Sequence, residues 1–208
     1  MRNNKPSDKQ VLFTVVLAFL FWYLTFVVKW TNFWLSMSLA VTVLTGLSFM
    51  WGGSPLKKSD FTISHALIGI GSAAVLYGVF WTGNLLSQAI FHFAKPEITS
   101  IYGIRHEGDR TIIALVLLFL TSPGEELFWR AFLQGWAKRR FGDFRGWLVA
   151  AAIYGAVHIL SGNVMLTLAA FTAGLFWGYL YWRSGSIFAC IVSHALWTVS
   201  IFILWPVL

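Results

Sequence analysis

Long apolar runs separated by short polar ones dominate the chain. Val11–Val28 holds eighteen residues without a charge, Phe33–Trp51 forms a second run, and Phe61–Ala94 a third of thirty-four. At 1.5 Å of rise per residue, about twenty helical residues cross the hydrocarbon layer of a bilayer, so each run has the length of a transmembrane helix. The same pattern predicts a fourth span from about Thr111 to Trp136, a fifth over Gly146–Leu160, a sixth over Val164–Trp182 and a seventh over Ile187–Trp205. The third run exceeds one perpendicular crossing, which implies tilt or an interfacial piece at one end. Lys95–Arg110, a polar stretch of mixed charge, reads as an extramembrane loop. The predicted fold class is all-α. It is a polytopic membrane helical bundle of about seven transmembrane helices, with N-terminal helices and loops in residues 1–110 and a core in residues 111–208.

Composition agrees with this class: of 208 residues, 58% are hydrophobic and 11% charged. The net charge of +7 does not indicate nucleic acid, because the basic residues lie between apolar spans instead of on one soluble face. Counted by side, ten Lys and Arg fall with the N-terminus (Arg2, Lys5, Lys9, Lys57, Lys58, Lys138, Arg139, Arg140, Arg145 and Arg183). Four fall on the other side (Lys29, Lys95, Arg105 and Arg110). By the positive-inside rule a multi-pass protein of the cell membrane results, with a cytoplasmic N-terminus and an outer C-terminus. The single cysteine, Cys190, rules out an internal disulfide and reads as a small core residue.

One stretch breaks the apolar pattern. Ser122-Pro123-Gly124-Glu125-Glu126-Leu127-Phe128-Trp129-Arg130 puts three ionisable residues inside the fourth span. Each charge near the bilayer centre costs about 3 kcal/mol, so the default reading is a functional site. Glu126 and Arg130 stand four apart on one helical face, where they can neutralise each other. Glu125 points about a quarter-turn away and is left free. Ser122-x-x-Glu125 also matches a capping box with Pro123 in the first turn, a purely structural alternative for Glu125.

The partners sought for Glu125 are His158 and His194, which residue counts from the loops put near the same depth, about 18–20 Å from the cytoplasmic helix ends. A carboxylate with two imidazoles can hold and activate water, Glu125 taking the proton and the imidazoles positioning water and stabilising an oxyanion. The same Glu125/His158/His194 set has the donor types for Zn²⁺, and spacing does not decide between no cofactor and zinc. The sequence contains neither HExxH nor GxSxG. His65 and His92, at the ends of the third run, read as interfacial.

Together these pieces resemble the CPBP intramembrane proteases, also called the CAAX-protease and bacteriocin-processing or Abi family, over roughly Ala114 to Trp205. Glu125-Glu126-x-x-x-Arg130 is similar to its EExxxR motif and Tyr154-x-x-x-His158 to its aromatic-x-x-x-His motif. Phe171-x-x-Gly174-x-x-x-Gly178 resembles the segment between, and His194 matches the histidine of the last motif. The resemblance implies Glu125 as the catalytic glutamate, His158 as its water-positioning partner, His194 in the oxyanion group, and Glu126 and Arg130 as support. Thr198 departs from the pattern by standing where the family carries Asn or Asp. A β-branched hydroxyl there replaces an amide donor. Gly174 and Gly178 read as close helix packing.

The resulting expectation is an endopeptidase acting on a membrane-associated peptide or protein, approached from the cytoplasmic half. CAAX-type processing of a lipidated substrate, pheromone or bacteriocin maturation, and immunity are the processes implied. The alternatives are a catalytically impaired immunity or scaffold protein of the same fold, and a small proton-carrying transporter, which the lack of inverted halves disfavours.

Overall fold

The structure, a computed structural model, describes residues 5–208, so Arg2 of the basic N-terminal count lies outside the described residues. Among these the chain is helical, with no strand. Six helices are long and apolar enough to cross a membrane: α1 (Asp8–Val28), α2 (Phe33–Gly52), α3 (Ile63–Ile90), α5 (Arg110–Phe141), α7 (Val164–Ser184) and α8 (Ile187–Leu204). Between them lie α4 (Ala94–Gly103) and α6 (Asp143–Ile159). The expected fifth span corresponds to α6, which at 17 residues is shorter than those six and begins with Asp143 and Arg145.

Short polar side chains start most of these helices by accepting backbone N–H groups that no helical carbonyl can reach. Ser7 caps α1 in a reciprocal capping box with Gln10. Asn32, Thr62, Asp109, Asn163 and Ser186 cap α2, α3, α5, α7 and α8. Polar loops thus carry their own helix-start signals, and for this reason the spans fall close to their expected limits.

One expectation about residues 61–110 is corrected, and one left open is resolved. The third run is a long helix followed by a separate piece: α3 ends at Ile90, where Phe91 is extended, and the chain restarts as α4. The predicted loop Lys95–Arg110 is largely helical, comprising α4 and a 3₁₀ turn over Ile104–Glu107. Pro96 falls in the first turn of α4, where its missing N–H costs nothing, and Glu97 adds a negative charge at the helix start.

This segment straps the bundle on the face away from the N-terminus. At one end, the Glu97 carboxylate accepts the Met165 N–H at 2.8 Å at the start of α7. At the other, the Glu107 carboxylate accepts the Phe33 N–H at 2.8 Å at the start of α2. In the middle, Tyr102 donates to the Ile201 carbonyl at 3.1 Å and accepts from the Val207 N–H. On the N-terminal face, Trp136 donates to Asp8 and Lys138 pairs with Asp143. His65, also on that face, has Nδ1 2.9 Å from the Asp60 carbonyl, and His92 is exposed in the α3–α4 turn.

The glycines of α7 do pack closely. A Cβ on Gly174 would stand 3.0 Å from the Tyr154 ring, and one on Gly178 would stand 2.6 Å from Trp147, so α6 and α7 approach only because these side chains are absent.

Candidate active site

Helix α5 is continuous but not uniform. Leu117–Thr121 and Leu127–Gln134 are widened π-type turns flanking Ser122–Glu126. Pro123 has no N–H and its ring crowds the preceding turn, and the widened turn just before it takes up that strain. Ser122 and Thr121 are helical, and no side chain caps at Thr121, so the capping-box reading of Ser122 and Glu125 is replaced by an unbroken helix. Gly124 lets α2 lie against this turn, since a Cβ there would come within 2.2 Å of Val41. Thr45 of α2 donates to the Gly124 carbonyl at 3.1 Å.

The two adjacent glutamates go to different places. Glu126 is fully buried, with Oε2 3.3 Å from Arg130 Nε and Oε1 2.8 Å from His194 Nδ1. The carboxylate accepts, so His194 donates through Nδ1. The Arg130 guanidinium lies 4.6 Å over the Tyr154 ring and 5.6 Å from the Trp177 ring, and it also donates to the Ala173 carbonyl at 3.4 Å. His194 stacks on Trp177 with centroids 3.7 Å apart. A carboxylate, a guanidinium and an imidazole therefore fill one buried aromatic box.

Glu125 has none of these cations in contact. Its Oε2 accepts the Tyr154 hydroxyl at 3.1 Å. It shares with His158 and Thr198 the lining of a cavity of about 180 Å³, whose other walls include Phe26, Phe33, Trp34, Met37, Ile104 and Phe202. The Thr198 hydroxyl is buried without a hydrogen-bond partner. Both ring nitrogens of His158 are engaged: Nδ1 is 2.8 Å from the Tyr154 carbonyl, and Nε2 accepts the Trp22 indole N–H at 3.2 Å.

The sequence-predicted residues are thus divided into two clusters, Glu126 with Arg130 and His194, and Glu125 with His158 and Thr198. His194 does stand level with the glutamates, as the residue count expects, but its Nδ1 hydrogen bond goes to Glu126, the neighbour of Glu125, and not to Glu125. Trp22, from α1, carries no sequence signal that sets it apart from the eleven other tryptophans.

Zinc needs several donors aimed at one point. Among the described residues no three His, Cys, Asp or Glu side chains form such a group. The Glu125/His158/His194 set does not fit a metal as arranged, since His158 has no free ring nitrogen and His194 turns its Nδ1 to Glu126.

The cavity walls come from the ends of α1 and α8 and the starts of α2 and α7, together with the strap. The site therefore lies in the half of the bundle facing away from the N-terminus, which corrects the expected approach from the N-terminal side.

No curated protein and no solved structure matches the chain. Residues 108–200 do match a family described as Rce1-like, type II CAAX prenyl endopeptidase Rce1-like. That segment holds both glutamates, Arg130, both histidines and Thr198 but leaves α1 to α4 outside. Over residues 108–200 this multi-pass membrane protein is similar to the Rce1-like type II CAAX prenyl endopeptidases, and that segment carries both of the clusters described above.

Proposed function

We propose that the chain is an intramembrane endopeptidase in which Glu125 activates the attacking water, with residues 111–208 as the catalytic core. The observation that carries this reading is the placement of Glu125, His158 and Thr198 around one cavity within the family segment. Water held at Glu125 Oε1 gives its proton to the carboxylate as its oxygen attacks the scissile carbonyl carbon. The C–N bond of the tetrahedral intermediate then breaks, and Glu125 returns the proton to the leaving amine. Tyr154 holds the other carboxylate oxygen. The unpartnered Thr198 hydroxyl is the available donor to the oxyanion. For His194 to donate as well, its ring must carry both protons, because Nδ1 already donates to Glu126.

The substrate is a membrane-associated peptide or protein that offers apolar side chains to an apolar-walled cavity, a lipidated CAAX-type protein or a pheromone or bacteriocin precursor. The ten-to-four bias of Lys and Arg supports a cytoplasmic N-terminus, with α6 as the seventh crossing and the C-terminus outside. At about 25 Å, α6 is long enough for that role with slight local thinning of the bilayer.

The test is cleavage of a membrane-peptide library by purified wild type and Glu125→Gln. Equal rates from both end the glutamate mechanism. A rate that survives chelators, with no stoichiometric Zn²⁺ in the protein, removes the zinc reading, and chelator-sensitive loss restored by zinc supports it. The second reading, a catalytically impaired immunity or scaffold protein, is favoured by the engaged nitrogens of His158 and the hydroxyl at position 198. An inactive wild type that gains cleavage as Thr198→Asn is its signature.

A further inference from the structure

The family segment begins at residue 108, yet the site does not. Trp22 of α1 is fully buried, and its indole N–H reaches His158 Nε2 at 3.2 Å across 136 residues of sequence. An indole N–H can only donate, so Nε2 must be the unprotonated nitrogen of a neutral ring. The proton then sits on Nδ1, which donates to the Tyr154 carbonyl one helical turn back. The two bonds fix the tautomer and the ring angle together.

Trp22 is itself held. Its ring meets His158 edge-on at 5.6 Å and Trp129 at 5.7 Å, and Trp129 in turn meets Tyr154 at 5.2 Å. Tyr154 donates to Glu125, so a closed ring of contacts runs from α1 through α5 and α6 to the carboxylate. We infer that Trp22 is a positioning residue of the site: it acts through His158, holding the imidazole in one tautomer and orientation beside Glu125. The N-terminal helix is then part of the working site as well as a membrane anchor.

This rests on the protease reading, and the experiment separates the two. In Trp22→Phe, kcat falls about tenfold or more while KM stays within about twofold, as expected when the imidazole that walls the cavity beside Glu125 loses one of the two bonds that fix its angle. In a His158→Ala background the same change produces no further loss, because the only route of action has been removed. In the full-length protein with ¹⁵N-labelled histidine, the His158 Nε2 resonance, assigned by its absence in His158→Gln, moves in Trp22→Phe as it loses its donor. If Trp22→Phe does not fold, benzothienylalanine at position 22 keeps the bicyclic shape and replaces the N–H by sulfur.

Wild-type or raised kcat, an unmoved Nε2 resonance, or an equal loss in the His158→Ala background would overturn the assignment. If wild type and Glu125→Gln do not differ in cleavage, the protease reading fails, and the nitrogen resonance alone decides whether Trp22 sets the imidazole.

Discussion

Glu125 and Glu126 are neighbours in one turn of one helix, and their surroundings could hardly differ more. Around Glu126 stand a guanidinium, paired with Oε2 by charge and not by a hydrogen bond, an imidazole that donates to Oε1, and aromatic faces. Glu125 makes no ion pair: it accepts one neutral hydroxyl and faces a cavity that His158 and Thr198 also line. A buried ion pair is weak evidence for net stability, but removing one member leaves an uncompensated charge. The contrast supports the proposal in which Glu126 holds the helices together and Glu125 does the chemistry.

The sharpest break of that contrast is Arg130→Met, which strands Glu126 beside His194. It should cost about 3–5 kcal/mol, read as loss of folded protein or a large drop in melting temperature in detergent. Glu125→Gln should do the opposite, keeping wild-type melting while cleavage falls by about 10²–10⁴, the range for a general base. A Glu125→Gln protein that unfolds like Arg130→Met would erase the distinction between the two carboxylates. Tyr154→Phe removes one hydrogen bond to a charged acceptor and should lower cleavage by about tenfold, the kinetic equivalent of about 1.5 kcal/mol. Thr198→Val is the mildest test: since the hydroxyl has no partner to lose, melting should shift by less than about 0.5 kcal/mol, so any fall in rate reports directly on the oxyanion.

Much of this was legible in the sequence because it is local. Hydropathy marked the spans, the four-residue spacing announced the Glu126–Arg130 pair, and the α7 glycines announced close packing. What was not legible depends on contacts between distant segments. No periodicity tells that His194 turns to Glu126 and not to the adjacent Glu125, because that depends on how the faces of α5 and α8 meet. Trp22 looked like any tryptophan of a membrane helix until His158 was seen against it. The strap read as a loop because it is polar, and it is polar because its carboxylates serve the ends of other helices.

The strap also implies an order of assembly. Glu107 meets Phe33, which the ribosome has already delivered, so that end can fasten at once. Glu97 must wait 68 residues for Met165. During synthesis, then, the roof over Glu125 hangs by one hinge, and it is latched only when α7 arrives. A nascent chain stalled before residue 165 carries both glutamates but an unfinished enclosure, and the last wall of the cavity, with the Ile201 carbonyl that holds Tyr102, arrives only when α8 follows the glycine-lined helix into place.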